Sequence, residues 1–165
     1  MNLVPDYIFK TFDEATADFL QSIGVKAVIL DIDNTLEPYE HPQPGEHVIA
    51  WLNSLSECGI KTAIVSNNGW KRVNLFNKNI GMPAIARAKK PFKKNVLRAM
   101  EMLSAERENT VFIGDQILTD VLAAHNAGIR AILVSPINDR RDPFTKFKRL
   151  LEKPFIRKYE KRAGK

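Results

Sequence analysis

Ala27-Val28-Ile29-Leu30-Asp31-Ile32-Asp33-Asn34-Thr35-Leu36 decides the reading of this chain. Four apolar residues run directly into two carboxylates spaced i, i+2, and a threonine follows. A short, unbroken apolar run that ends in polar residues reads as a strand buried on both faces. Such strands belong to parallel sheets, whose ligand sites lie just beyond the strand C-termini. Asp31 and Asp33 fall there. Carboxylates at the end of a buried strand are costly unless a cation or a reaction needs them. The competing reading is that Asp33-Asn34-Thr35 is only a turn and a helix cap.

Outward from this stretch, apolar runs alternate with helical patterns. On the N-terminal side, residues 1–10 have no clear period, and Asp13 is placed to cap a short helix through Leu20 and Ile23. On the C-terminal side comes a proline-rich loop, Glu37 to Gly45. A helix from Glu46 to Glu57 carries Val48, Trp51, Leu52 and Leu55 on one face. Lys61–Val65 reads as a second strand and Trp70–Lys78 as a helix. Ala84–Ala86 is a short third strand, and Pro91 suits a first helical position. Thr110–Ile113 is a fourth strand, Ile117–Asn126 a helix and Ala131–Val134 a fifth strand. This alternation predicts an α/β fold: a doubly wound, Rossmann-like parallel sheet of about five strands with helices on both faces. Residues 1–140 are expected to form one domain and 141–165 a basic tail.

The 165 residues suit one domain with a sizeable core. One cysteine, Cys58, excludes an internal disulfide and fits a reducing, cytoplasmic setting. It is expected as a small core or boundary residue late in a helix. The net charge of +6 is unevenly placed. From Arg140 to Lys165 there are eleven Lys and Arg against three Asp and Glu; the rest of the chain carries fourteen against sixteen. A basic tail on a slightly acidic body argues against a nucleic acid partner for the whole domain. It argues for an anionic membrane surface or another partner at the tail. Phe144, Phe147, Leu150, Leu151, Phe155 and Tyr159 recur there at near-helical spacing, interrupted by Pro154. The same pattern fits a helix that packs its apolar side on the domain.

Polar groups appear wherever a strand ends. Asp31 and Asp33 follow the first, Ser66 the second, Lys90 the third and Asp115 the fourth, with Asp120 one turn into the next helix. In a doubly wound sheet these points converge on one edge. Carboxylates, a hydroxyl and a lysine, with no cysteine or histidine pair among them, suit Mg²⁺ and a phosphate rather than zinc. Taken singly, Ser66 is a turn residue, Lys90 part of a basic helix face and Asp120 an ordinary helix-start acid. His41 reads as a loop-surface residue, His47 and His125 have no discernible partner, and Trp51 and Trp70 read as packing or boundary residues.

The four stretches together resemble the haloacid dehalogenase (HAD) superfamily of aspartate-nucleophile phosphatases. Asp31-Ile32-Asp33-Asn34-Thr35 is similar to its DxDxT motif. Ser66 in Ile64-Val65-Ser66-Asn67-Asn68, Lys90 in Lys89-Lys90-Pro91 and Gly114-Asp115 through Asp120 are similar to its other three. Leu3-Val4-Pro5-Asp6 and the sequence around Asp31 and Asp115 also resemble the YqeG-like branch, related to phosphatidylglycerophosphate phosphatases. The resemblance implies a phosphate monoester substrate and Asp31 as a nucleophile carrying an aspartyl-phosphate. It implies Asp33 as general acid and base, with its proton affinity raised by burial and neighbouring carboxylates. Mg²⁺ would be held by Asp31, the Asp33 carbonyl and Asp115. Ser66, Asn67 and Lys90 would bind phosphate oxygens, with Thr35 and Asp120 in supporting positions. The segments between Thr35 and Ser66 and between Ser66 and Lys90 are too short for the cap domains common in this superfamily. An open site implies a large substrate, such as a lipid headgroup, or cover from a second copy in an oligomer. Two other readings stand beside the lipid phosphatase: the same chemistry on a soluble ester or phosphoprotein, and a HAD-derived module that binds membrane or RNA without catalysis.

Overall fold

The computed structural model describes residues 2–138 and 143–164, the side chains of 143–150 excepted. Strands and helices alternate in the order β1 (Tyr7–Phe9), α1 (Ala17–Ser22), β2 (Ala27–Leu30), α2 (Glu46–Glu57), β3 (Lys61–Val65), α3 (Trp70–Asn77), β4 (Ala84–Ile85), α4 (Lys94–Leu103), β5 (Thr110–Gly114), α5 (Leu122–Ala127), β6 (Arg130–Val134) and α6 (Pro143–Arg162). The sheet order is β1-β6-β5-β2-β3-β4. Every pairing is parallel.

β2 lies at the centre because both its faces are apolar. Val28 and Leu30 pack with Leu20, Leu52, Leu55 and Phe76 on one side. Ala27 and Ile29 pack with Val96, Phe112, Ile117 and Ala124 on the other. Period-two alternation in a run with no polar residue thus feeds two cores at once. From β2 the chain winds one way to β3 and β4, then returns to β5 on the other flank. The strand order reverses between β2 and β5, where a doubly wound sheet opens a crevice. Leu30 pairs with Ile113, so Asp31 and the residues after Ile113 leave the sheet side by side.

Among the described residues the sheet has six strands, one more than the sequence pattern predicts. The extra one is β1, an edge strand whose three residues are too few to display a period. It is fastened by Asp6, whose N–H donates to the Ala131 carbonyl at 2.9 Å. Its carboxylate accepts from the Ala131 N–H at 2.8 Å. Helix starts differ as well. Asp13 lies in a 3-10 turn, and α1 is capped by Thr16, whose hydroxyl accepts from the Phe19 N–H at 3.1 Å. Pro91 is not a first helical residue: the Lys90–Pro91 bond is cis and α4 begins at Lys94. The segment Ile117–Val121 is a π-helical turn before α5.

Single residues are also placed differently from the pattern. Cys58 is exposed at the end of α2, and Trp70 is half exposed. Trp51 is buried, as expected of a packing residue, and donates its indole N–H to the Ala15 carbonyl at 3.0 Å. His47 lies 3.9 Å from Glu37. His125 contacts the Asn2 carbonyl at 2.7 Å and Asp6 at 3.0 Å. α6 continues through Pro154 and packs Phe155 and Ile156 against the second core. Phe144, Phe147 and Leu150 lie outside the described side chains.

Candidate active site

At the C-terminal ends of β2, β3, β4 and β5 lies a pocket of about 220 Å³, lined by Asp31, Asp33, Ser66, Lys90 and Gln116 among others. Asp31 continues β2, with its N–H donating to the Ile113 carbonyl at 3.1 Å. The chain then turns sharply. Asn34 takes a left-handed φ of 63°, its N–H donating to the Glu37 carbonyl at 2.7 Å. Asn tolerates that conformation better than most residues. The turn buries Asp31, Asp33 and Thr35 together.

Lys90 is the hub. Its ammonium lies 2.8 Å from Asp31 and 2.8 Å from Asp120, almost wholly buried. It also sits 5.3 Å from the centre of the Phe112 ring. Burial opposes its charge, but Asp120 and then Asp31 outweigh that, so its pKa is raised above the ordinary lysine range. For Asp31, burial dominates and pushes the carboxyl up to about 6; Asp120 and Asp33 add to this and Lys90 opposes it.

Asn67 clamps the backbone of Lys90. Its carbonyl accepts from the Lys90 N–H at 2.7 Å, and its amide donates to the Lys90 carbonyl at 3.3 Å. Its side chain therefore positions Lys90. Ser66 is buried, and its hydroxyl accepts from the Asn68 N–H at 3.1 Å. Thr35 donates to Asp115 at 3.4 Å. Asp120 reaches back to the Gln116 N–H at 3.0 Å. That approach requires Gly114, because a Cβ there would lie 2.5 Å from the Asp120 side chain.

Asp31, Asp115 and Asp120 each offer a carboxylate oxygen, all within 4.8 Å of one another, and all three are buried. Lys90 supplies one positive charge against them. An oxygen-only donor set with excess buried negative charge fits a hard divalent cation. Such a cation would also counter the burial that drives Asp31 up. The carboxylate of Asp33 is not in this cluster. It accepts from the Asn68 amide and from Arg72 Nε, the latter at 2.9 Å. Arg72 Nη1 donates to the Pro42 carbonyl at 2.9 Å. Sequence reasoning missed Arg72 and Asn68. Asn68 sits two residues after Ser66, but Arg72 reaches Asp33 only because α3 starts at Trp70.

Glu37, also missed, is buried and organises the proline-rich loop. It accepts from the Gly45 N–H at 2.7 Å and contacts His41 at 3.1 Å. The segments between β2 and β3 and between β3 and β4 each hold one helix, so the pocket has no cap domain.

Residues 2–134 match the family model described as haloacid dehalogenase-like hydrolase. The chain belongs to this family. It is 38% identical over 153 residues to "Probable phosphatase YqeG" of Bacillus subtilis (strain 168), covering 93% of this chain and 89% of that protein. A HAD-superfamily hydrolase from Ehrlichia chaffeensis superposes with a TM-score of 0.57 at 19% identity, covering 78% of this chain and 98% of the other. The cobalt-bound deoxy-D-mannose-octulosonate 8-phosphate phosphatase of Haemophilus influenzae superposes with a TM-score of 0.56 at 16% identity, covering 68% and 80%. These two likenesses establish the fold. Family membership and the YqeG relationship make the chain a HAD-type phosphatase.

Proposed function

We propose that the protein is a Mg²⁺-dependent phosphomonoesterase that works through an aspartyl-phosphate on Asp31, with phosphatidylglycerophosphate as substrate. The observation that carries the chemistry is the contrast between two neighbouring carboxylates. Asp31 is set on Lys90 at 2.8 Å, and Asp33 is set on Asn68 and Arg72. Two carboxylates held by different partners can take different roles.

An Asp31 oxygen attacks phosphorus as the ester P–O bond breaks, and the electron pair leaves on the ester oxygen. Asp33 serves as the general acid, and the departing oxygen takes its proton. Asp33 then accepts a proton from the water that cleaves the aspartyl-phosphate. Lys90 holds Asp31 in place and, with the Ser66 hydroxyl, meets the phosphoryl oxygens. A divalent cation held by Asp31, Asp115, Asp120 and the Asp33 carbonyl would offset the repulsion between carboxylate and phosphate. That a phosphatase of the same fold is known in a cobalt-bound form supports a divalent cofactor.

The lipid assignment comes from the YqeG-like resemblance, and the pocket without a cap domain supports it. A cytoplasmic protein working at the inner face of a membrane is part of this reading.

The test is phosphate release from phosphatidylglycerophosphate in mixed micelles, with Mg²⁺ or with EDTA, beside a panel of soluble esters. Metal-dependent release from the lipid is expected. Asp31→Asn should lower it on the order of a thousandfold or more while the protein stays folded. Release from soluble esters alone would keep the chemistry and discard the lipid. No release from any ester would overturn the enzyme reading in favour of a binding module.

A further inference from the structure

Eight large apolar side chains are well exposed among the described residues. Scattered singly, they would need no explanation. Four of them, Tyr39, Trp70, Phe92 and Ile137, are 49, 51, 70 and 46% exposed and belong to segments that adjoin the pocket. Trp70 begins α3, two residues after pocket-lining Asn68, and Phe92 lies two residues after Lys90. Ile137 donates its N–H to the carbonyl of pocket-lining Asn34 at 3.1 Å. Tyr39 lines a second cavity of about 360 Å³ that shares Asn68 with the pocket.

The same segments expose Lys71, Arg87, Lys89 and Lys93. Arg87 donates its N–H to the Asn68 carbonyl at 2.8 Å. Arg87 and Lys89 both take left-handed φ, 50° and 54°, on either side of buried Ala88. Glu40 is an exposed acid on this rim.

The tail offers less apolar surface than its sequence suggests. Phe155 and Ile156 pack on the core, and Glu152 is buried, accepting from the Ile117 N–H at 2.8 Å.

We infer that the rim of the pocket is the surface on which the protein docks to an anionic bilayer, an inference that rests on the lipid-phosphatase reading of that pocket. Aromatic and aliphatic side chains enter the interface while the surrounding lysines and arginines meet lipid phosphates. A phosphomonoester on a lipid headgroup would then face Asp31 without leaving the membrane. No helix among the described residues is long and apolar enough to cross a membrane.

The chain carries its own probe. Trp51 is buried, whereas Trp70 stands on the rim, so a change in tryptophan emission reports the rim. Phosphatidylcholine vesicles containing phosphatidylglycerol should shift Trp70 emission to the blue and shield it from an aqueous quencher. Pure phosphatidylcholine vesicles should not. Phe92→Ser and Ile137→Ser should each weaken vesicle partitioning about tenfold, the scale of losing one apolar side chain from an interface. Both should keep wild-type hydrolysis of p-nitrophenyl phosphate.

Absence of vesicle binding in catalytically active protein would overturn the inference. So would binding that leaves Trp70 unshifted and vanishes when the tail lysines become glutamine. Self-association of the wild type that Phe92→Ser abolishes would instead assign the rim to a second copy of the chain. Vesicle binding by protein that hydrolyses no ester would remove the phosphatase reading and leave the rim standing.

Discussion

The ammonium of Lys90 lies 2.8 Å from Asp120, and the other oxygen of that carboxylate accepts from the Gln116 N–H at 3.0 Å. One side chain therefore ties the lysine to the turn that carries Asp115. Asp120→Ala should free the lysine and loosen that turn together. We expect at least a tenfold loss of kcat and a stability loss of about 3 kcal/mol, the scale of breaking a buried ion pair. Asp120→Asn should recover part of the stability but little of the activity. Thermal melts and steady-state kinetics on the two variants check both expectations.

Arg72 orients Asp33 through Nε at 2.9 Å and packs over Phe76, 5.6 Å from its ring centre. In the proposed mechanism it positions the group that protonates the leaving oxygen. Arg72→Met should therefore slow an alkyl phosphate about a hundredfold, within the usual range of general acid catalysis. It should slow p-nitrophenyl phosphate far less, because that leaving group departs without a proton. Equal losses on both esters would mean that Arg72 acts on binding or folding instead.

Glu152 of α6 accepts from the Ile117 N–H, at the start of the turn that precedes α5. Glu152→Ala leaves a buried N–H without its partner, at a cost of about 1–3 kcal/mol. Glu152→Gln keeps an acceptor oxygen and should restore most of that. A melt of each variant, with hydrolysis of a soluble ester beside it, checks whether the C-terminal helix supports the Asp115 turn.

His125 links α5 to the N-terminal segment through Asn2 and Asp6. Burial opposes its charge, but the hydrogen bonds to Asp6 and Asn2 outweigh this, so its pKa is raised above the ordinary value. Burial also opposes the charge on Asp6, and the bonds from His125 and Ala131 outweigh it, so that pKa is lowered. The stability His125 contributes is complete below about pH 6.5 and is lost as pH rises through its higher folded value. The contribution of Asp6 is complete above about pH 3.8 and is lost as pH falls through its lower folded value. Docking of residues 2–9 should therefore be tightest between those limits. Hydrogen exchange at the Asp6 and Ala131 amides across pH would show it, and His125→Ala should flatten the alkaline side.

Much of the sheet was legible because β2, β3, β5 and β6 each carry a short apolar run, the pattern of strands covered on both faces. β1 was not, since three edge residues carry no period. Asp31, Ser66 and Asp115 were legible because each stands at the end of such a run, and Lys90 because it follows the short strand Ala84–Ile85. Arg72, Glu37 and Glu152 were not. Each is an ordinary charged residue in its own segment; only packing sets Arg72 and Glu152 against partners distant in the chain, and only the folded loop turns Glu37 onto Gly45 and His41.

By itself, the order of residues determined the alternation of strands and helices, the family, and the edge on which the polar groups gather. These follow from local periodicity and from short motifs, which need no knowledge of distant contacts. Only the tertiary structure decided how the carboxylates divide. Asp31 and Asp120 share Lys90, and Asp33 turns to Asn68 and Arg72. It also decided that part of the tail's apolar side packs on the core while Trp70 and Phe92 are left exposed. Partner choice among buried charges, and the side of a residue that meets solvent, depend on which distant segments pack together.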